Sequence, residues 1–240
     1  MSPKPGLCVV AAQPEEIATL LDRYGSSPID TDGPRAWQIR AQETTVTVAL
    51  VGEGRRLARS GMEAIVGWQP ERILVVGVAG ALTDDLSVGQ ALAITAVREA
   101  GGRRHELGAP SESVRSHLSG SAELVTVDEL IVDPQRRREL ASLVDCPRLA
   151  VDMETFELVD VARSAGIPID VVRVISDRAD AELPAFLSRC RRPDGSIDRV
   201  RVVLAASARP GSWRALAELG RTVSEASVTF ADVVVAAVPG

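Results

Sequence analysis

Short runs of β-branched and aliphatic residues alternate with helical patterns along the whole chain, and this alternation limits the fold more than any other feature. Gly6–Ala12 is a short buried strand, followed by a helix over Pro14–Tyr24 with Ile17, Leu20 and Leu21 on one face. Ala36–Arg40 and Thr44–Val51 predict a hairpin closed by Gln42 and Glu43. Gly52-Glu53-Gly54 opens a helix over Arg56–Gly67. Arg72–Gly77 is a strand ending in a turn of small residues, Gly77–Ala81, and Ala91–Val97 is another strand. Further on come a strand at Leu124–Val127, a helix over Pro134–Leu143 and a strand at Leu149–Val151. The last of these enters a helix over Glu154–Ala165 that Gly166 stops. Ile169–Ile175 is apolar apart from Asp170 and Arg173. The tail holds a Pro- and Gly-punctuated stretch, Pro184–Gly211, and then a helix from Ser212 to near Val234.

Strands that are apolar throughout need cover on both faces, which points to an α/β fold. Aromatics make up only 3% of the 240 residues, so its core is built from Val, Leu, Ile and Ala. Neither a repeat nor a low-complexity linker divides the chain, and one domain is the economical reading. In such sheets ligands collect at the C-terminal ends of the strands. Gly52–Gly54, Gly77–Ala81 and Ser176–Asp180 are expected there, with Asp152–Glu154 just past a fourth strand. The stretch from Gly101 to Ser121, rich in Gly, Ser and charge, reads as a long excursion, either a mobile loop or a partner-facing element.

Several function classes are disfavoured. A net charge of −6 argues against a nucleic-acid binder that neutralises phosphates with a basic face. The clusters Arg136–Arg138 and Arg189–Arg192 lie among acidic residues and read as solvated. Three widely spaced cysteines, with no C-x-x-C pair, fit neither a disulfide framework nor a zinc site. Both histidines, His105 and His117, sit in polar surroundings, so no metal site or Ser-His-Asp triad is expected. Met1–Gly6 lacks a signal-peptide pattern, and no apolar run approaches the ~20 residues a bilayer span requires. A cytoplasmic protein is the expectation.

Two acidic motifs stand out. Asp152-Met153-Glu154 follows a strand and begins a helix; Ser176-Asp177 ends the next strand. Read as consecutive strands of a βαβ unit, their ends should be neighbours at one edge of the sheet. Helix capping explains Asp152 well. It explains Asp177 poorly, because the apolar run before it places the carboxylate in a partly buried crevice, where burial favours the protonated form and a role as proton donor. Residues alone leave the structural and catalytic readings open. The glycine turns are weak signals, since Gly52-Glu53-Gly54 lacks the third glycine of a dinucleotide fingerprint and no G-x-x-x-x-G-K-[ST] occurs.

Val151-Asp152-Met153-Glu154-Thr155-Phe156, followed by Arg173-Val174-Ile175-Ser176-Asp177-Arg178-Ala179-Asp180, resembles the signature of the nucleoside phosphorylase superfamily. It is most similar to the branch of methylthioadenosine/S-adenosylhomocysteine nucleosidases. Val9–Ala12 with Glu15-Glu16, the Gly52–Gly54 turn and Gly77–Leu82 agree in order. The resemblance implies one domain over residues 1–240, a three-layer α/β/α sandwich around a mixed central sheet. It implies cleavage of the N-glycosidic bond of a 5′-modified adenine nucleoside by a homo-oligomer, dimeric or higher. Glu154 would then hydrogen-bond the ribose hydroxyls and Met153 would pack on the sugar. Asp177, oriented by Ser176, would protonate N7 of the purine, and Glu16 would position a nucleophilic water. Gly77, Ala79, Gly80, Leu130 and Ile131 complete the implied binding set, with no metal and no cofactor beyond inorganic phosphate if the enzyme is a phosphorylase.

The chain departs from the phosphorylase pattern at two positions. Val75 and Val78 stand where an Arg and a Ser bind phosphate in phosphorylases of the superfamily, which favours hydrolysis. Arg55 or Arg56 is a candidate replacement cation, against the reading of an exposed helix terminus. Leu183-Pro184, Pro193-Asp194-Gly195, Arg209-Pro210-Gly211 and the Leu/Ala-rich helix resemble the hopanoid-associated phosphorylase branch. That similarity implies a long apolar 5′ substituent channelled by the 101–121 excursion and the tail. The alternative function is a nucleoside-binding regulatory protein that has lost turnover through Val75 and Val78.

Overall fold

A computed structural model describes residues 5–99, 102–187, 190 and 212–238. Ten strands form one mixed sheet: β1 (Leu7–Ala11), β2 (Ser27–Ile29), β3 (Arg35–Ala41), β4 (Thr44–Leu50), β5 (Arg72–Ala81), β6 (Ala91–Glu99), β7 (Arg104–Glu106), β8 (Ser121–Thr126), β9 (Leu149–Asp152) and β10 (Ile169–Asp177). Helices α1 (Pro14–Arg23), α2 (Arg55–Gly67), α3 (Glu112–Arg115), α4 (Pro134–Ser142), α5 (Thr155–Ser164) and α6 (Ser212–Ala237) flank it.

The period-2 alternation of β1 explains the layers. Leu7, Val9 and Ala11 pack with Ile17 and Leu20 of α1 and with Phe230 and Val234 of α6. Cys8 and Val10 face the opposite layer, with Met62 and Ile65 of α2 and Phe156 and Val159 of α5. Both faces are covered, as an apolar sheet requires, and the expected α/β sandwich with a mixed sheet is the architecture observed. Within the described residues no helix is long and apolar enough to cross a membrane.

Half of the sheet also closes on itself. β5 pairs with β10 along one edge, while its other edge pairs with β1 and then, at its last two residues, with β9. The ring β5-β10-β6-β8-β9 is complete. This topology corrects two expectations. Gly77–Ala81 is not a turn but the second half of β5, whose small residues admit strands and side chains on both sides. β9 and β10 are not adjacent: β9 is antiparallel to β5 and β10 parallel to it. Their motifs meet all the same, because β5 lies between them and Gly80 is in register with both Val151 and Asp177.

The segment from Gly101 to Ser121 is structured over its described residues. β7 pairs with β6, and α3 contributes Val114 to the α6-side core. His105 is not a free surface group: its ring stacks on buried Phe156, and Nε2 lies 3.0 Å from Asp160. The motifs at residues 193–195 and 209–211 lie outside the described residues.

Candidate active site

The C-terminal ends of β1, β4, β5 and β10 share one edge of the sheet, since these strands run parallel. A cavity opens there, lined by Gln13, Glu53, Val78, Ala79, Gly80, Met153, Glu154, Ser176 and Asp177, with Val127, Leu130, Ile131 and Leu187 supplying apolar wall. Of the predicted site residues, Met153, Glu154, Ser176, Asp177, Ala79, Gly80, Leu130 and Ile131 all line this cavity. Gly77 and Glu16 do not, although Glu16 accepts the amide of Val78, which does.

Asp177 is placed by a β-bulge. Ile175 pairs with Ala79 and Asp177 with Gly80, leaving Ser176 as the extra residue. Bulges re-aim the side chains that follow them, and here the Ser176 hydroxyl comes to lie 2.5 Å from Oδ1 of Asp177 and 3.2 Å from the Ala79 carbonyl oxygen. The other carboxylate oxygen forms an ion pair with Arg137 of α4. Arg137 is only 1% exposed, which corrects the reading of Arg136–Arg138 as uniformly solvated; only its two neighbours are exposed. Its burial was hidden because three consecutive arginines carry no periodic signal.

On the other flank of β5, Glu154 starts α5. Its Oε1 accepts the Gly54 amide at 2.6 Å and its Oε2 the Met153 amide at 3.3 Å. Burial, reinforced by the neighbouring Asp152 carboxylate, pushes the Glu154 carboxyl up to about 8. Asp152 is an anchor: it accepts from the Thr155 amide and the Thr126 hydroxyl and pairs with Arg173 Nη2 at 3.0 Å. The capping expectation for Asp152 therefore holds, with a buried ion pair added.

Arg173 opens the second motif, yet chain pattern alone gives it no role. It lies beside Gly77 in register. A Cβ on Gly77 would overlap Arg173 Nη1 and come within 2.8 Å of Glu16 Oε1, so glycine lets these two side chains approach across β5. Glu16 accepts from the amides of Ala12, Gln13 and Val78 at 3.0, 2.9 and 3.0 Å. Burial raises its carboxyl above the ordinary range, with Arg173 and the three amides opposing.

The departures from the phosphorylase pattern persist in three dimensions. Val75 is fully buried core, and Val78 is part of the cavity wall. Neither Arg55 nor Arg56 lines the cavity. Arg55 is not an exposed helix terminus either: it is held by Glu157, Glu99 and Asp128, while Arg56 is exposed.

The family model described as the phosphorylase superfamily matches residues 7–143. Among solved structures the chain is similar to a 5′-methylthioadenosine/S-adenosylhomocysteine nucleosidase from Neisseria meningitidis in complex with methylthio-immucillin-A. That match has 16% identity and a TM-score of 0.72 and covers 96% of this chain and 97% of that one. A nucleosidase of the same kind from Colwellia psychrerythraea, in complex with adenine, aligns at 15% identity and TM-score 0.72, with 98% and 94% covered. A futalosine hydrolase mutant from Helicobacter pylori aligns at 19% identity and TM-score 0.68, with 95% and 97% covered. No curated protein matches the chain in sequence.

Proposed function

Because the chain belongs to the phosphorylase superfamily, whose enzymes cleave N-glycosidic bonds, we propose that it releases the purine base from a 5′-modified adenine nucleoside, with water as the attacking group. One observation carries this reading: Glu154 and Asp177 line the same cavity from opposite flanks of β5. Breaking the bond between C1′ and N9 builds positive charge on the ribose and negative charge on the base. A carboxyl hydrogen-bonded to the ribose hydroxyls holds the sugar as the first develops, and an acid at N7 neutralises the second.

Water rather than phosphate is favoured by charge. Glu16, Glu53, Asp152 and Glu154 gather at the sugar side, and the buried cation among them, Arg173, is already engaged by Asp152 and Thr155. A phosphate dianion entering that environment finds acidic side chains in place of the free cations it needs. With Val75 and Val78 in place of phosphate ligands, nothing on β5 offsets this lack. Glu16 is the assigned base for the water, since a carboxyl held above its ordinary range accepts a proton more readily. An apolar 5′ group, and a neighbouring copy of the chain completing the pocket, belong to the same proposal; the wall of Leu130, Val127 and Leu187 supports the first.

The test is product analysis with adenosine, methylthioadenosine and an apolar 5′-adenosyl compound, each with and without inorganic phosphate. Free adenine without phosphate is the expected result. Release that requires phosphate would replace hydrolysis by phosphorolysis. Tight binding with no release from any substrate would make the protein a nucleoside-binding regulator instead.

A further inference from the structure

Arg137 is the largest fully buried side chain of the described residues. An arginine is that deeply buried only where its charge and its five N–H groups find partners. Nε and Nη2 donate to the Ile131 carbonyl at 3.2 and 3.0 Å, and Nη1 donates to the carbonyls of Arg178 at 2.9 Å and Ala81 at 3.4 Å. These carbonyls satisfy hydrogen bonds but not the positive charge. The charge is met by Asp177, whose Oδ2 forms the ion pair with Nη1. The backbone of β5 leaves room for this arrangement. A Cβ on Gly80 would lie 3.0 Å from Oδ2 of Asp177 and 3.3 Å from Nη1 of Arg137, a tight fit that would press on the pair. Ser176 holds the second carboxylate oxygen.

We infer that Arg137 is a positioning residue for leaving-group departure, acting on the purine through Asp177. This rests on the proposed base-releasing activity. When the bond between C1′ and N9 breaks, its electron pair passes to the purine, and Asp177, protonated from solvent as the nucleoside binds, gives that proton to N7. The base departs neutral, and Asp177 is left as a carboxylate. Arg137 faces that carboxylate with a fixed, desolvated positive charge, so negative charge arriving on Asp177 in the transition state is stabilised without reorganisation. Because the same guanidinium grips the Ile131 carbonyl, it also ties the wall of the base pocket to the acid.

A strut and a leaving-group device respond differently to the leaving group. The measurement compares kcat and KM of wild type, Arg137→Met and Arg137→Lys on two substrates. One is the purine nucleoside that the wild type turns over fastest. The other is 4-nitrophenyl β-ribofuranoside, whose phenolate departs without needing a proton. The expected result for Arg137→Met is a fall in kcat on the purine substrate of roughly 10²-fold, the lower end of what a positioned acid contributes. KM should change little, and most of the rate on the nitrophenyl substrate should survive. Arg137→Lys, which restores a cation, should recover part of the loss. Should Arg137→Met fail to fold, Arg137→Lys and Arg137→Gln carry the same two-substrate comparison. Equal losses on both substrates would make Arg137 a strut and overturn the inference while leaving the activity standing. Absence of base release by the wild type would overturn both.

Discussion

The Gly54 amide donates to Oε1 of Glu154 at 2.6 Å, joining two residues 100 positions apart. The loop after β4 thereby holds the carboxyl group just before α5 in place at the cavity. A short backbone donor of this kind fixes a side chain without adding a second flexible partner. Glu154 should therefore be poised before substrate arrives, and Glu154→Gln, which keeps the shape and the amide contact, should still fold. A net hydrogen bond is worth ~0.5–1.5 kcal/mol, so kcat/KM should fall by roughly two- to tenfold. Steady-state kinetics on the preferred nucleoside reads this directly, and an unchanged value would remove Glu154 from the sugar site.

The same residue predicts a pH dependence of stability. Its carboxyl rises in the folded state from an ordinary value of 4.5 to about 8, chiefly through burial. A group whose folded pKa is raised favours folding below its unfolded value, and that contribution is lost as pH rises through the folded one. Unfolding free energy should decline between those two pH values, and the decline should be shallower in Glu154→Gln. Urea unfolding at a series of pH values tests this; parallel curves for the two proteins would contradict it.

Asp177→Asn should preserve adenine binding and lose most turnover. The amide keeps the hydrogen bond from Ser176 but has no acidic proton for N7. Positioned acids contribute roughly 10²–10⁴-fold, and kcat should drop within that range, while calorimetric titration with adenine shows binding within a few-fold of wild type. Full activity in this variant would mean that the proton comes from elsewhere.

Gly77→Ala tests the crossing of β5 by two side chains. The new methyl group would displace Arg173 Nη1 and press on Glu16. Overpacking of this kind costs ~1–3 kcal/mol, and a lowered denaturation midpoint with an unchanged denaturant slope is expected. Equal stability would mean that the guanidinium does not lie over Gly77.

Much of this was legible in the chain. The alternation of Val and Ile runs with amphipathic stretches marked every strand except β2 and β7, because three-residue strands such as Ser27–Ile29 carry too few residues for a period to show. The Asp152–Glu154 and Ser176-Asp177 motifs were visible as acidic groups at strand ends. What could not be read was how they meet. Gly77–Ala81 looks like a turn because small residues suit turns, yet the same residues suit a strand flanked closely on both edges. The bulge at Ser176 depends on register with β5, which no local pattern records. The roles of Arg137 and Arg173 were missed for a common reason. A charged residue in an arginine cluster or an apolar run is assigned by composition to solvent or strand, and only tertiary structure brings its carboxylate.

The ion pair between Arg173 and Asp152 makes the sharpest stability prediction. Both side chains are nearly fully buried, at 4% and 3% exposure. Removing one partner of such a pair leaves an uncompensated charge and costs ~3–5 kcal/mol, whereas removing both charges together costs far less. Arg173→Met should therefore be strongly destabilising. Combining it with Asp152→Asn should recover a substantial part of the loss, because the substituted amide retains an oxygen for the Thr126 hydroxyl and Thr155 amide that now bind the aspartate. The coupling is read from a double-mutant cycle of urea unfolding free energies. Strict additivity of the two single changes would show that Asp152 is held by its threonines alone. Arg173 would then answer instead to Glu16, whose raised pKa it opposes.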